Sequence, residues 1–571
     1  MKNKELADLF GKMGDILEFK GENPFKISAY RKASRIIGDL TQDIEEIAKS
    51  GKLKEVPGIG EGMAQKVVEY LKTGKISKFE EVKKGVPDEL IAIMDIPGMG
   101  PKTLSMIHKE KGIGDLSQLE KAVEDGSLIG LPGIGEKKVE NIKRGIELLK
   151  ASKGRMNLGT AFPVAKRIVE TLRQKTGSKK IEWAGSLRRM RENIGDIDIL
   201  ATGPNHQKIV HAFTRLPEVK EVLASGETKA SVIVEGGTQI DLRVVEEDSY
   251  GAALQYFTGS KGHNIHLRGI AKAEGIKINE YGVFKGNKKI AGKEEKDVYG
   301  ALGMVWIEPE LREDRGEIEA AQEKRLPKLV QESDIKGDLH VHSRWSDGTS
   351  SIEEIASAAQ KRGYQYVAIC DHSKSLRIAH GLDESRLMKQ IEEIDRINEK
   401  LEGFQILKGS EVDILADGRL DLSEKVLEKL DLVVAAIHSG FKQEKGRMTK
   451  RVVRALENPF IHILAHPSGR LLGARDPYEV EMEEVMEATK RYGKALEINA
   501  SFERLDLNDI HCRKAKDMGI RVSIGTDSHH LEQMWMMSLG VAVARRGWLE
   551  APDVLNTLPL AGILKWCHQS R

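Results

Sequence analysis

The segment GSLRRMRENIGDID (185–198) contains two aspartates, Asp196 and Asp198, two positions apart. On an extended strand that spacing sends both carboxylates to one face. A third acid, Asp241, comes from TQIDLRV. Like charges gathered closely repel unless cations stand between them, so the trio calls for a pair of divalent metals, and oxygen-only donors favour magnesium. Just upstream, Gly185 and Ser186 form a turn beside Arg188 and Arg189 that could approach a triphosphate and donate to it. The run YFTGSKGHNIHLR (256–268) adds the aromatics Tyr256 and Phe257, a glycine turn at Gly259, and the polar Asn264 and Arg268. A second chemistry lies further on. Of 16 histidines, eleven follow residue 330, in a stretch where acidic residues outnumber basic ones by 38 to 34. Imidazoles and acids together are what a cluster of divalent metals requires.

Three repeats precede these segments: VPGIGEGMAQKV (56–67), IPGMGPKTLSMI (96–107) and LPGIGEKKVENI (131–142). Each is apolar-Pro-Gly-apolar-Gly followed by helical periodicity. The glycines Gly58 and Gly60, Gly98 and Gly100, and Gly133 and Gly135 permit a tight turn whose backbone N–H groups face a phosphate oxygen. These are helix-hairpin-helix elements, which grip nucleic-acid backbone and not base sequence. After residue 155 the short runs KKIEWAGSL, DIDILAT, ASVIVEG and TQIDLRVV predict an α+β unit with a mostly antiparallel sheet. The charged stretch 309–335, poor in β-branched core residues, reads as a partly helical linker. Beyond it, seven strand-like runs alternate with helical stretches, from GDLHVHS (337–343) to RVSIGTDSHH (521–530). That alternation predicts a parallel (β/α) barrel, with its polar residues on the C-terminal rim where such barrels carry their chemistry.

At 571 residues the chain is several times the usual domain length of roughly 150, so several cores are expected. Hydrophobic residues make up 40% and charged residues 31%, and no uncharged apolar run reaches the roughly 20 residues that span a bilayer. A membrane protein is not expected, nor is secretion, because the first residues mix acids and bases in an amphipathic pattern. Cys370, Cys512 and Cys567 are odd in number and contain no CxxC pair, which fits a reducing cytoplasm better than a disulfide framework. An excess of five basic residues in 151–330 is weak evidence for a polyanionic partner.

Over roughly residues 1–310 the chain resembles the family X DNA polymerases, the gap-filling repair polymerases: GSxRR, GDxD, IDLR and YFTGS occur in the family's order and spacing. The resemblance implies that Asp196, Asp198 and Asp241 hold two Mg2+ ions, one for the primer 3′-hydroxyl and one for the incoming dNTP. It implies phosphate contacts from Ser186, Arg189 and Gly195, exclusion of ribonucleotides by Tyr256 and Phe257, a minor-groove contact from Asn264 and a template contact from Arg268. Gln239 stands where animal members carry an arginine. The stretch NPFKISAYRKASRII (23–37) resembles the family's small lyase domain, which implies a Schiff-base role for Lys66 and 5′-phosphate contacts from Lys26 and Tyr30. Gly62 stands where animal members supply a further cation, so weak 5′-deoxyribose phosphate lyase activity is expected at most.

Nearly all of 336–571 resembles the polymerase and histidinol phosphatase (PHP) domain. DLHVHSRWSDG gives His340, His342 and Asp347; CDHS gives His372; SEVD gives Glu411; AIHS gives His438; AHPS gives His466; GTDSHH gives Asp527 and His529. By the resemblance these form three Mn2+ or Zn2+ sites: His340, His342, Glu411 and Asp527; Glu411, His438 and His466; and Asp347, His372 and His529. Arg470 beside His466 is a candidate phosphate contact, and Asn499 and Asp413 are expected to orient ligands.

The expected architecture is multidomain α+β and α/β. It comprises a lyase-like helical domain with the first hairpin (1–80), a helical DNA-binding domain with two more (81–155), a nucleotidyltransferase palm (156–256), a thumb (257–310), a linker (311–335) and a (β/α)7 PHP barrel (336–571). The expected function is filling of short gaps in gapped or nicked DNA by a cytoplasmic, monomeric polymerase. The barrel is expected to act as a 3′-5′ exonuclease, with abasic-site cleavage and 3′-phosphate removal as further activities. Two alternatives are a hydrolase of small phosphate esters fused to a different nucleotidyltransferase, and a non-enzymatic DNA scaffold.

Overall fold

A computed structural model describes residues 2–38, 44–56, 58–94, 99–132, 134–135, 138–139, 142–143, 146, 156–234, 237–472 and 475–569. The chain divides into two compact units, Met1–Gly154 and Arg155–Arg571. Among the described residues no helix is long and apolar enough to cross a membrane, and the three cysteines form no disulfide and are buried.

The first unit is helical. Helix Lys2–Phe19 buries Phe10, Met13, Ile16 and Leu17, and helix Pro24–Gly38 buries Tyr30, Ala33 and Ile37 in the same core. In the first hairpin Gly58 has φ +90°, a left-handed conformation that favours glycine. Gly60 and Gly100, in extended backbone, precede helices Glu61–Thr73 and Pro101–Lys111. In the third hairpin the Ile134 N–H donates to Leu131 O and that of Lys138 to Gly135 O. Gly98 and Gly133 lie outside the described residues.

The second unit opens with helix Leu158–Thr176, capped by Asn157, packed on a five-stranded sheet. Its strands run Ile181–Trp183, Ile197–Ala201, Gln239–Val244, Lys229–Val234, Val219–Ser225 in spatial order, antiparallel except for the pair Ile197–Ala201 and Gln239–Val244. A three-stranded antiparallel sheet, Ile276–Asn279, Gly282–Lys285 and Lys288–Ala291, follows. Then come seven parallel strands in sequence order: Gly337–Val341, Tyr366–Ile369, Gln405–Asp413, Leu432–Ala436, Ile463–Leu464, Ala495–Asn499 and Val522–Gly525. The last meets the first through the Asp527 N–H on His340 O (2.9 Å) and the His342 N–H on Ser528 O (3.0 Å), bringing the barrel close to closure.

The stretch 311–335, expected to be a partly helical linker, contains the helix Glu317–Gln322 and packs against its surroundings. Arg312 and Glu317 are fully buried, and the Val330 N–H donates to Leu549 O. Three of its charges, on Arg312, Glu313 and Glu317, are buried, and each has a partner. Arg312 pairs with Glu295 (2.6 Å), Glu317 with His263 (2.7 Å), and Glu313 with Arg546 (3.0 Å) and Arg189 (3.1 Å).

Candidate metal centres

The parallel pair in the five-stranded sheet places Asp198 directly beside Asp241, and Asp196 sits in the turn before the first of these strands. One oxygen from each of the three lies within 4.8 Å of the others. Asp241 accepts from Ser231 Oγ and from Gln239 Nε2 (3.1 Å to each oxygen), so Gln239 orients it without supplying charge. Burial first, then Asp196 and Asp241, push the Asp198 carboxyl up to about 7. An all-oxygen set of three acids, whose burial and mutual repulsion outweigh the pull of Arg243 and Arg189, fits a divalent cation. Gly185, at φ +62°, closes over it: a Cβ there would lie 2.6 Å from Asp198 Oδ2.

The surrounding candidates divide. Gly195 faces open space, and Ser186 lies in the short helix Gly185–Arg188. Arg189, expected on phosphate, instead pairs with Glu313 and donates to Thr258 O (2.5 Å), because the folded 311–335 stretch brings Glu313 against it. Arg188 makes a two-pronged pair with Glu295 (2.7 and 2.9 Å). Tyr256 and Phe257 pack edge to face, with the Arg268 guanidinium 5.9 Å from the first ring and that of Arg243 4.6 Å from the second. Gly259 has φ +72°, and a Cβ there would be 3.1 Å from Arg189 Nη1. Asn264, expected at a minor groove, is buried here with both ends engaged: it donates to Tyr256 O and accepts from Gln255, each at 2.7 Å. Arg268 donates to Asn264 O. In the first unit the Lys66 ammonium donates to Gly62 O (2.8 Å) and lies 5.7 Å from the Tyr30 ring centroid. Burial, then Lys78, lower its pKa, the direction that nucleophilic use requires. Lys26 pairs with Glu22 (3.2 Å).

The C-terminal ends of the barrel strands bring together donors scattered over 190 residues of sequence. Three sets each fall within 4.8 Å: His342, Asp347, His372 and His529; His340, His342 and Asp527; and His372, Glu411 and His438. His466 Nε2 reaches Glu411 Oε1 at 2.9 Å. Relative to the expected grouping, His342 joins two sets and His372 also turns toward Glu411. His340 and His342 present their Nε2 atoms 3.2 Å apart, and His342 Nε2 lies 3.0 Å from Asp527 Oδ1. His372 Nδ1 and Glu411 Oε2 approach to 2.7 Å without hydrogen-bond alignment, and both, like His342 Nδ1, are buried without a hydrogen-bond partner. Buried polar atoms are almost always satisfied, so convergent orphans of this kind fit bound cations. The mixed nitrogen and oxygen donors suit borderline divalent ions. Burial, with His372 and His529, holds His342 down to about 3. Against burial, Glu411 lifts His438 to about 10, and Asp347 lifts His529 to about 9.

An outer layer orients these donors. Asp413 accepts from His438 Nδ1 (3.1 Å), and Asn499 donates to Asp527 Oδ2 (3.0 Å). Glu497, which sequence reasoning missed, holds His340 Nδ1 at 2.6 Å and accepts from the His466 N–H. Its signal was the alternation of ALEINAS, which sets Glu497 and Asn499 on one face. Arg470 is not free for phosphate: it clamps Glu192 of the other half of this unit (2.5 and 3.1 Å).

Two convergent donor sets on mixed-sheet and barrel scaffolds define a divalent-metal-dependent class of phosphate chemistry. Comparison with known proteins narrows this. Residues 1–76 match a helix-hairpin-helix domain, 52–110 and 87–147 a SAM-like helix-hairpin-helix tandem, 253–313 the DNA polymerase beta thumb, and 338–501 the PHP domain. A DNA polymerase/3′-5′ exonuclease PolX of Bacillus subtilis (strain 168) is 40% identical over 567 residues, 99% of each chain. DNA polymerase lambda of Arabidopsis thaliana is 27% identical over 54% of this chain and 62% of its own. A probable phosphatase of Thermoanaerobacter sp. (strain X514) is 32% identical over 38% of this chain and 89% of its own. The chain belongs to the family X DNA polymerases that carry a C-terminal PHP domain.

Proposed function

We propose that this chain is a DNA-directed DNA polymerase that fills short gaps in repair, and that its barrel is a 3′-5′ exonuclease. Two magnesium ions would sit at Asp196, Asp198 and Asp241, and three manganese or zinc ions on the nine barrel donors. The observation that carries the reading is the coexistence, in one compact unit, of an all-carboxylate set and an imidazole-rich set sharing no residue. Bound divalent ions supply neutralising charge to phosphate oxygens and make a hydroxyl or water a better nucleophile. The chain's own groups do the rest. Asp198, raised to about 7 by burial and by its acidic neighbours, would be held ionised by a bound cation. Gly185 keeps the following turn seated on that carboxylate, where the Ser186 side can face a triphosphate. Tyr256 and Phe257 are the steric wall on the nucleotide sugar. In the barrel, Glu497 holds the His340 ring by Nδ1 so that Nε2 faces the cluster.

The test is to replace Asp196 and Asp198 by alanine in one variant and His340 and His342 by alanine in another. Extension and 3′ degradation are followed on a one-nucleotide gap, with magnesium and manganese varied. Each variant should lose one activity and keep the other; loss of both from either folded variant overturns the assignment. Abasic-site cleavage and 3′-phosphate removal are further reactions for the barrel donors, and the monomer is the working form. Weak lyase action at Lys66 is supported by its lowered pKa, and failure of borohydride to trap it on an incised abasic strand counts against it. The probable phosphatases that match the barrel region favour a second reading, hydrolysis of a small phosphate ester. Absence of DNA binding at moderate salt would select that reading.

A further inference from the structure

The loop after ligand candidate His372 carries a feature that neither folding nor metal binding explains. Its two ends are tied: the Leu382 N–H donates to His372 O (2.7 Å), and the Ser373 N–H to Glu411 O (3.0 Å). Along its length, the Ser375 N–H is held by Asp421 Oδ2 (2.8 Å), and His380 O accepts from Arg386 Nη1 (2.7 Å). At Gly381 a Cβ would lie 2.0 Å from Ser373 O, so the returning strand presses on the departing one. The tip is a 3-10 turn, Arg377–Ala379, with Ala379 buried beneath it. On this fixed turn Ile378 is 89% exposed, the one large apolar side chain that the barrel leaves in solvent among the described residues. Covering this isoleucine with a partner surface would recover about 1.5–3 kcal/mol of burial. Lys374 and Arg377 precede it, exposed and without an ion pair among the described residues.

An exposed apolar tip preceded by two exposed cations, held six residues from a metal ligand candidate, matches the make-up of a DNA strand, in which apolar base faces alternate with phosphates. We propose that Ile378 is a wedge that packs against the bases at a DNA 3′ end and separates the terminal nucleotide from its template. Lys374 and Arg377 neutralise the neighbouring phosphates. The loop thereby sets the substrate of the barrel: a strand end that can be unstacked, delivered to the metal centre. This rests on the exonuclease reading above, and it goes further by naming the residues that select the end.

The experiment uses the full chain with manganese, comparing wild type, Ile378→Ala and the Lys374→Ala/Arg377→Ala double variant. Three substrates are followed: a duplex with a recessed 3′ end, a single-stranded oligonucleotide, and thymidine 5′-p-nitrophenyl phosphate, an ester too small to need unstacking. Loss of the apolar wedge contact lowers kcat/KM on the duplex end by about 10-fold in Ile378→Ala. The fall on the single strand is smaller, and hydrolysis of the small ester is unchanged. The double variant should flatten the dependence of DNA binding on log salt by about 1.4–1.8 units. Equal rates for wild type and Ile378→Ala on duplex ends overturn the wedge, as does an equal loss on all three substrates. A wild-type chain that cleaves the ester and leaves DNA intact overturns the exonuclease reading itself, a result distinct from either.

Discussion

His340 turns one ring nitrogen toward the barrel cluster because the other is held by Glu497 at 2.6 Å, and the remaining Glu497 oxygen fixes the loop of His466 through its backbone N–H. A buried carboxylate that grips two donor-bearing segments sets the geometry of the centre as much as the donors do. Replacing Glu497 by glutamine keeps the shape but removes the charge. Metal affinity of the barrel is expected to fall by about 10–100-fold, measured by competition with a chelator, while gap filling stays at the wild-type rate. At the same scale, the acids of GDID and the histidines of the barrel were legible in the sequence because ligand chemistry restricts residue type. Arg189, Asn264 and Arg470 were not, since a guanidinium or amide suits a phosphate, a base or a carboxylate of the fold equally well. Only the folded chain shows Glu313, Gln255 and Glu192 already engaging them.

Single contacts are fixed by the elements that carry them. The turn at Gly185 lies against Asp198, and the parallel register of Ile197–Ala201 with Gln239–Val244 sets Asp198 against Asp241. Gly185→Ala forces both a left-handed backbone and a side chain onto Asp198 Oδ2. Primer extension should drop on the order of 100-fold, as small misplacements of a reacting group do, with 3′ degradation retained. The hairpin repeats and the alternation of seven strands were readable from periodicity, whereas the buried ion pairs of the 311–335 stretch, expected to be a partly helical linker, were not. Charge density signals solvent only when the charges lack partners, and here the partners come from distant elements. The expected consequence is measurable. Burial raises Glu313, but Arg546 and Arg189 overcome it and bring its pKa down to about 2. The unfolded value is about 4.3, so between the two the unfolded chain binds more protons. The contribution of Glu313 is therefore complete above that value and is lost as pH falls toward 2, a loss on the order of 3 kcal/mol. Glu313→Gln should be less stable at pH 7 yet lose less on acidification, seen in urea melts at pH 7, 4.5 and 3.

Across the second unit, the polymerase-like half and the barrel are joined by buried ion pairs as well as by chain. Arg546 contacts Asp509 (2.6 Å), Glu313 (3.0 Å) and Arg189 O (2.7 Å); Arg315 also reaches Asp509 (3.0 Å), and Arg470 reaches Glu192. The last pair is placed where it matters most. Glu192 precedes Asp196 by four residues, and Arg470 follows His466 by four, so one ion pair ties the two donor-bearing loops. Gly159 strengthens the same seam, since a Cβ there would meet Phe502 of the barrel at 2.1 Å. Removing one partner of a buried pair leaves an uncompensated charge, typically at about 3–5 kcal/mol, whereas removing both leaves none. Arg470→Ala and Glu192→Ala should each lower the melting temperature and reduce gap filling and 3′ degradation together. The double variant should be less impaired than the sum of the two single losses. A full double-mutant cycle in thermal melts and in both activities measures that coupling, and additive losses would show that the seam only joins the two halves and does not set their sites.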